Sequence, residues 1–166
     1  MSLHIGMFFV PLVEQLKTGV KIKKKLSLIG TGGLIMTNIL IVAILTMLFC
    51  HIVDDYYLQG WLASAKQHDW WLKNAPGELY KHDYIMALVE HAFSWCFMVH
   101  VPCIVCWMCN YIYFSPFLLI VSFLLHLTIH AVVDDLKANK KKINLIQDQI
   151  IHIAQVIIIW ILFFVV

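Results

Sequence analysis

Three pairs of a histidine and an aspartate share one spacing. His51 and Asp55, His130 and Asp134, and Asp148 and His152 are each four residues apart. On a helix, residues at i and i+4 lie on one face, about 6 Å apart along the axis. Each pair can therefore aim an imidazole and a carboxylate at a common point. Those two groups together suit zinc, iron or manganese. Helical bundles build such sites from inward-facing pairs on neighbouring helices. With His91 as a further partner, the expected metal ligands are His51, Asp55, His91, His130, Asp134, Asp148 and His152. Zinc is the first expectation for the ion, with manganese or iron as alternatives. The three acids would bring a charge of about −3 into a low-dielectric interior, where lone carboxylates are strongly disfavoured. One divalent ion would leave about −1 and two about +1. The candidate ligands outnumber those of one tetrahedral ion, so one or two ions fit the set. A single such pair can equally be an interfacial ion pair or a helix cap. It is the recurrence of the pair that favours a metal.

Asp55 and Asp134 are the candidate catalytic carboxylates. Glu90 is a candidate general base, although as a helical neighbour of His91 it points about 100° away. His126 lies one turn deeper than His130, as an extra ligand or a packed histidine. Lys137, one turn beyond Asp134, offers either a phosphate contact or a partner for an aspartate. Asp54 and Asp135 adjoin the pair acids but should face elsewhere, in supporting or surface roles. His4, His68 and His100 are left out of the site. Cys103, Cys106 and Cys109 form a C-x2-C-x2-C run in an apolar stretch, with no partner ligands near in sequence. Small packing residues or a lipidated thiol account for it better than a metal site.

The elements that must position these residues are membrane spans. Of the 166 residues, 61% are hydrophobic and 13% charged. A soluble domain is nearer half apolar and a quarter charged. Disordered, collagenous and ordinary soluble chains are excluded. All twelve basic residues are lysine and the net charge is only +2. Without the planar fork of arginine, nucleic-acid recognition is not expected. The expected fold is all-α: a polytopic membrane protein with four antiparallel helices. The spans fall at about 26–57, 84–109, 117–135 and 143–166, within a transmembrane domain of residues 26–166. Leu26 to Val53 alone carries no charged residue and exceeds the roughly 20 residues that cross a bilayer. Residues 1–25 form an N-terminal segment with a short interfacial helix over Ile5–Lys17. Between the first two spans, residues 59–81 are polar and mixed. Their Trp61, Trp70 and Trp71 suit a membrane interface.

Antiparallel threading has a consequence. The end of the first span, the start of the second, the end of the third and the start of the fourth share one membrane face. Nearly all polar residues of the spans gather toward those four ends. A site near headgroup depth follows.

The three elements also resemble a known family. His51-Ile-Val-Asp-Asp55-Tyr-Tyr-Leu-Gln59 looks like H-x3-D-[aromatic]-x-L-Q, His130-Ala-Val-Val-Asp134-Asp-Leu-Lys137 like H-x3-D-x2-K, and Asp148-Gln149-Ile-Ile-His152 like D-Q-x2-H. Their order, with His91 between the first two, resembles the bacterial and phage membrane family called domain of unknown function 3307. The resemblance covers about Thr37 to Trp160. Asp54 stands where a small residue is expected. Gln59 and Gln149 join His126 and Lys137 as candidates to orient ligands or substrate. The H-x3-D elements are also similar to those of membrane-bound metal-dependent hydrolases, which implies a hydrolase by analogy.

The expectation is an integral membrane hydrolase that uses its metal to activate water on an amphiphilic ester. A phospholipid or isoprenoid phosphate suits that depth. A metal-ion or proton transporter, or pore, is the alternative use of the same cluster. A non-catalytic interaction protein with a structural metal is the third. A bacterial inner membrane is the expected location. Seven lysines in the site-side loops against five before the first span favour a cytoplasmic site.

Overall fold

The computed structural model describes residues 32–166. The segment 1–25, its interfacial helix and the expected start of the first span at Leu26 lie outside the described residues. Four helices among the described residues are long and apolar enough to cross a membrane. These are α1 (Gly32–Leu58), the helical stretch Glu78–Met108, α5 (Pro116–Ala138) and α6 (Leu145–Val165). Between the first two lie two short helices, α2 (Leu62–Ala65) and α3 (His68–Asn74). The α-helical part of the second span is α4 (Asp83–Met108), preceded by a 3₁₀ turn at Glu78–Tyr80. No strand occurs among the described residues, so the fold is all-α. The chain divides into two units, Met1–Ile41 and Val42–Val166. Of the first, residues 32–41 are described, and they are helical. Everything below belongs to the second.

Local chemistry sets the helix ends. The left-handed Asn110 (φ 60°) closes α4, with Tyr111 N–H donating to the Cys106 carbonyl and Asn110 N–H to that of Trp107. This six-to-one, five-to-two pattern satisfies carbonyls that the helix leaves open. Ser115 caps α5 by accepting from Leu118 N–H, and Pro116 occupies the first turn, where its missing N–H costs nothing. Asn144 and Gln147 form a reciprocal capping box at the start of α6. The short connectors make α4, α5 and α6 antiparallel neighbours, α4 on α5 and α5 on α6.

The interior is inverted relative to a water-soluble bundle. Large apolar side chains such as Phe93, Phe97, Leu124 and Ile158 face outward, while histidines and aspartates are buried. In a bilayer the outer surface meets hydrocarbon, so polar groups must find one another inside.

The connector after α1 is more than an interfacial link. Gly60 takes a left-handed conformation (φ +46°) and turns the chain into α2. α2 and α3 then pack on α4. Trp61, Trp70 and Trp71 meet edge to face at 5.0–6.0 Å, and Trp71 Nε1 donates to the Ala65 carbonyl. Asn139, just past α5, ties the connector down. Its Oδ1 accepts from His68 N–H at 2.7 Å, and its Nδ2 donates to the Lys66 carbonyl at 3.1 Å and to Asp135 at 2.9 Å. The neighbouring Lys140 bridges to Asp135 at 2.8 Å, and that hydrogen bond holds its ammonium above the ordinary lysine value.

Asn139→Ala removes these anchors and strands part-buried backbone groups. It is expected to cost about 1–3 kcal/mol, read as a lowered thermal midpoint by tryptophan fluorescence in detergent.

Candidate metal centre

The three pair acids divide their oxygens in the same way. Asp55 Oδ2 accepts from Gln149 Nε2 at 2.6 Å. Asp134 Oδ2 accepts from Lys66 Nζ at 2.5 Å. Asp148 Oδ2 accepts from Lys137 Nζ at 2.5 Å and from Gln149 Nε2 at 3.1 Å. The other oxygen of each, Oδ1, is buried and has no hydrogen-bond partner. Each Oδ1 instead stands beside an imidazole. Asp55 Oδ1 is 3.3 Å from His91 Nε2, Asp148 Oδ1 is 3.3 Å from His152 Nε2, and Asp134 Oδ1 is 3.5 Å from the same His152 Nε2. His91 Nε2 also lies 3.4 Å from Asp134 Oδ2 and 3.3 Å from His130 Nε2.

These separations exceed an ordinary N–H···O bond. They match the edge of a coordination shell: two ligands about 2.1 Å from one ion, at the tetrahedral angle, lie about 3.4 Å apart. Three overlapping triads result: Asp55–His91–His130, His130–Asp134–His152 and Asp55–Asp148–His152. Every side chain in them is buried. These groups could hold a metal ion. Because Asp55, His130 and His152 are each shared between triads, the donor set accommodates one ion or two.

The elements explain the convergence. α5 delivers His130 and Asp134, and α6 delivers Asp148 and His152, each from consecutive helical turns as their spacing requires. α4 contributes His91, buried beside Ala87, Leu88 and Ala92, whose small or apolar side chains admit close neighbours. The last six residues of α1, Val53–Leu58, are π-helical. That wider turn buries both Asp54 and Asp55 and leaves Tyr56 and Tyr57 outside. π-turns recur at functional sites for this reason: they re-aim side chains. Asp54 was expected to face elsewhere, in a supporting or surface role. It is fully buried, with Oδ1 accepting from Ser94 Oγ at 2.5 Å and Oδ2 3.7 Å from His91 Nδ1. It thus stands behind His91 at ion-pair distance, on the side where a carboxylate supports a metal-binding histidine.

His51 behaves differently from the expectation. Its Nδ1 accepts from the Trp95 indole N–H at 2.8 Å, which leaves the proton on Nε2 for Gln149 Oε1 at 3.2 Å. Both ring nitrogens are occupied, and the structure brings His51 into none of the triads. It braces Gln149 instead. Trp95, which the sequence did not single out, is fully buried and stacks on His130 at 4.3 Å, and His130 stacks on His152 at 4.0 Å. Lys66 is one of the seven lysines of the site-side loops. It is buried, and Asn139 anchors its backbone over Asp134.

The remaining candidates sort by position. Glu90 is exposed on α4 and is not brought to the cluster, because the helical step from buried His91 turns it outward. Gln59 Nε2 donates to the Asp55 carbonyl and so fastens the π-turn from its end. Lys137 takes the aspartate alternative, bonded to Asp148. Gln149 touches two of the acids. His126 is buried behind the centre, its Nδ1 3.2 Å from Gln155 Oε1, and Gln155 Nε2 is 3.3 Å from His152 Nδ1. Rotating that amide by half a turn makes Nδ1 of His152 the donor and frees Nε2 as a ligand. Gln155 therefore positions the His152 ring. The five cysteines are unpaired thiols, and none joins a triad.

The charge count changes with these additions. Asp54 joins the three pair acids, and Lys66 and Lys137 offset two of the four, leaving a formal charge of about −2. One divalent ion balances that charge, and a second leaves the centre able to attract an anion.

The chain matches no protein-family model, no curated protein and no solved structure. Reasoning about function therefore rests on the site.

Protein purified in detergent is expected to carry about one or two equivalents of a divalent ion by mass spectrometry, and Asp134→Asn to lose them. Gln155→Leu should weaken affinity about 10–100-fold, with Gln155→Glu recovering it through a stronger acceptor for His152 Nδ1. Metal content equal in all four proteins would contradict the assignment.

Proposed function

We propose that this chain is an integral membrane metal-dependent hydrolase acting on an amphiphilic phosphate or carboxylate ester at one membrane face. The observation that carries the reading is the divided carboxylate: three buried acids, each with one oxygen fixed by a protein donor and the other, without a hydrogen bond, 3.3–3.5 Å from an imidazole nitrogen. The donor set of imidazole and carboxylate favours zinc, with manganese or iron as alternatives. Such an ion lowers the pKa of water toward neutrality and polarises a scissile ester. The chain's own part is to hold the ligands rigid, exclude bulk water and supply charge. Lys66 and Lys137 fix Asp134 and Asp148, and Lys137 keeps a quarter of its side chain exposed toward the connector face. To Asp55 and Asp134 this reading assigns the acceptance of a proton from the nucleophile. The similarity of the H-x3-D elements to those of membrane-bound metal-dependent hydrolases supports this reading by analogy only. The lysine distribution favours a cytoplasmic site, and the resemblance to a bacterial and phage family favours a bacterial inner membrane.

A second reading has an observation of its own. Beyond the centre, Gln155, His126, His100 and Ser122 are buried in the bundle, with His100 Nε2 3.2 Å from Ser122 Oγ. A polar file of this kind is what an ion or proton path through the bilayer would need. Against it, His100 Nδ1 is satisfied by the Cys96 carbonyl at 2.8 Å, and the ring abuts Phe163 at 6.0 Å.

The zinc- or manganese-loaded protein is expected to release phosphate or alcohol from a panel of lipid phosphates and esters. Asp55→Asn and Asp134→Asn should each lose about 10²-fold or more in kcat/KM. Metal-loaded protein that turns over nothing in the panel, yet carries metal or protons into proteoliposomes, would overturn the hydrolase and establish the second reading.

A further inference from the structure

A groove on the outer surface of the bundle leads to the centre. Leu48 and Ile52 from α1 and Ile153 from α6 form its walls, and its volume is about 650 Å³. Tyr56 and Tyr57 line it near the end of the span, each more than half exposed. All of these residues lie in Gly32–Leu58 and Leu145–Val165, the first and last spans. The medium outside them is hydrocarbon, so a hydrocarbon chain fits the walls. Tyrosine at the membrane boundary places the open end at headgroup level.

The groove also has a polar side. His51 and Gln149 line it, and they are the same pair that supports the acids. Gln149 donates to both Asp55 and Asp148 through Nε2, and its Oε1 accepts from His51. A single amide therefore separates the groove from two ligands of the centre. The headgroup chemistry follows from charge. A centre holding two divalent ions carries a formal positive charge, in which the Lys137 ammonium beside Asp148 is already counted.

We propose that this groove binds the chain of a long-chain alkyl or prenyl phosphate monoester, whose headgroup reaches the centre past Gln149. The substrate thus arrives sideways from the bilayer. This proposal rests on the hydrolase reading and names its substrate class. In the reaction, water attacks phosphorus, the P–O bond to the chain breaks, and the chain leaves as its alcohol with a proton derived from the water. Inorganic phosphate is the other product.

The test compares hexadecyl phosphate with ethyl phosphate on metal-loaded protein in mixed micelles, following phosphate release. Wild type is expected to prefer the long chain in kcat/KM. Ile153→Trp and Leu48→Trp fill the groove and should reduce that preference about tenfold, the effect of expelling about two methylene groups from an apolar site. A preference unchanged in both variants, with metal content retained, would overturn the groove while leaving the hydrolase standing. A wild type inactive on both substrates would overturn the hydrolase, and binding would then be judged alone. In that case a diazirine-bearing hexadecyl phosphate should label wild type at Tyr56, Tyr57 or Ile153. Competition by hexadecyl phosphate and not by hexadecanol would support the groove, and labelling elsewhere or equal competition by both would overturn it.

Discussion

Four carboxylates buried in a membrane bundle are the constraint on which the rest of the structure depends. Asp54, Asp55, Asp134 and Asp148 come from three different helices and meet in a region that water does not reach. Each would be strongly disfavoured there alone. The chain answers with two lysines, one glutamine, one serine and three imidazoles, and still leaves one oxygen of every acid without a hydrogen bond. That residue of negative charge, beside the three imidazoles, could hold a metal ion. It also links features set far apart in the chain: the anchored connector that delivers Lys66, the π-turn that delivers two acids at once, and the tryptophan that holds two histidine rings in stack.

Much of this was legible in the sequence because a bilayer makes the patterns stark. Long charge-free runs declare the spans, and an intramembrane histidine or aspartate has few reasons to be there. The i, i+4 spacing held on α5 and α6, where the helices are regular, and antiparallel threading put the four polar ends together. Those two arguments reached Asp134, Asp148, His130 and His152 directly. His91 was reached as a lone histidine at the right depth.

What the sequence did not disclose lies where regular geometry fails or where a partner is distant in the chain. Asp54 turns inward because the end of α1 is π-helical, and no propensity marks that wider turn. His51 has the same spacing to Asp55 as the other pairs, yet Trp95, 44 residues on, claims its Nδ1. Lys66 sits in a connector whose fold depends on Asn139, 73 residues later. Glu90 was attractive only as a neighbour of His91, and helical geometry turns neighbours apart.

The order in which the acids and their cations occur along the chain bears on how such a protein is made. Synthesis proceeds from the N-terminus. Lys66 precedes Asp134 and Lys137 precedes Asp148, so each of these acids emerges after the ammonium that will hold it. Asp54 and Asp55 emerge first, and they sit at the very end of α1, where a waiting carboxylate can stay at the wet edge of the membrane. The donors that fix them, Ser94 and Gln149, follow later, and Gln149 belongs to the last span. The centre therefore closes only when the fourth helix is in place. Biogenesis can then proceed without committing an unpaired charge to the bilayer at any earlier step.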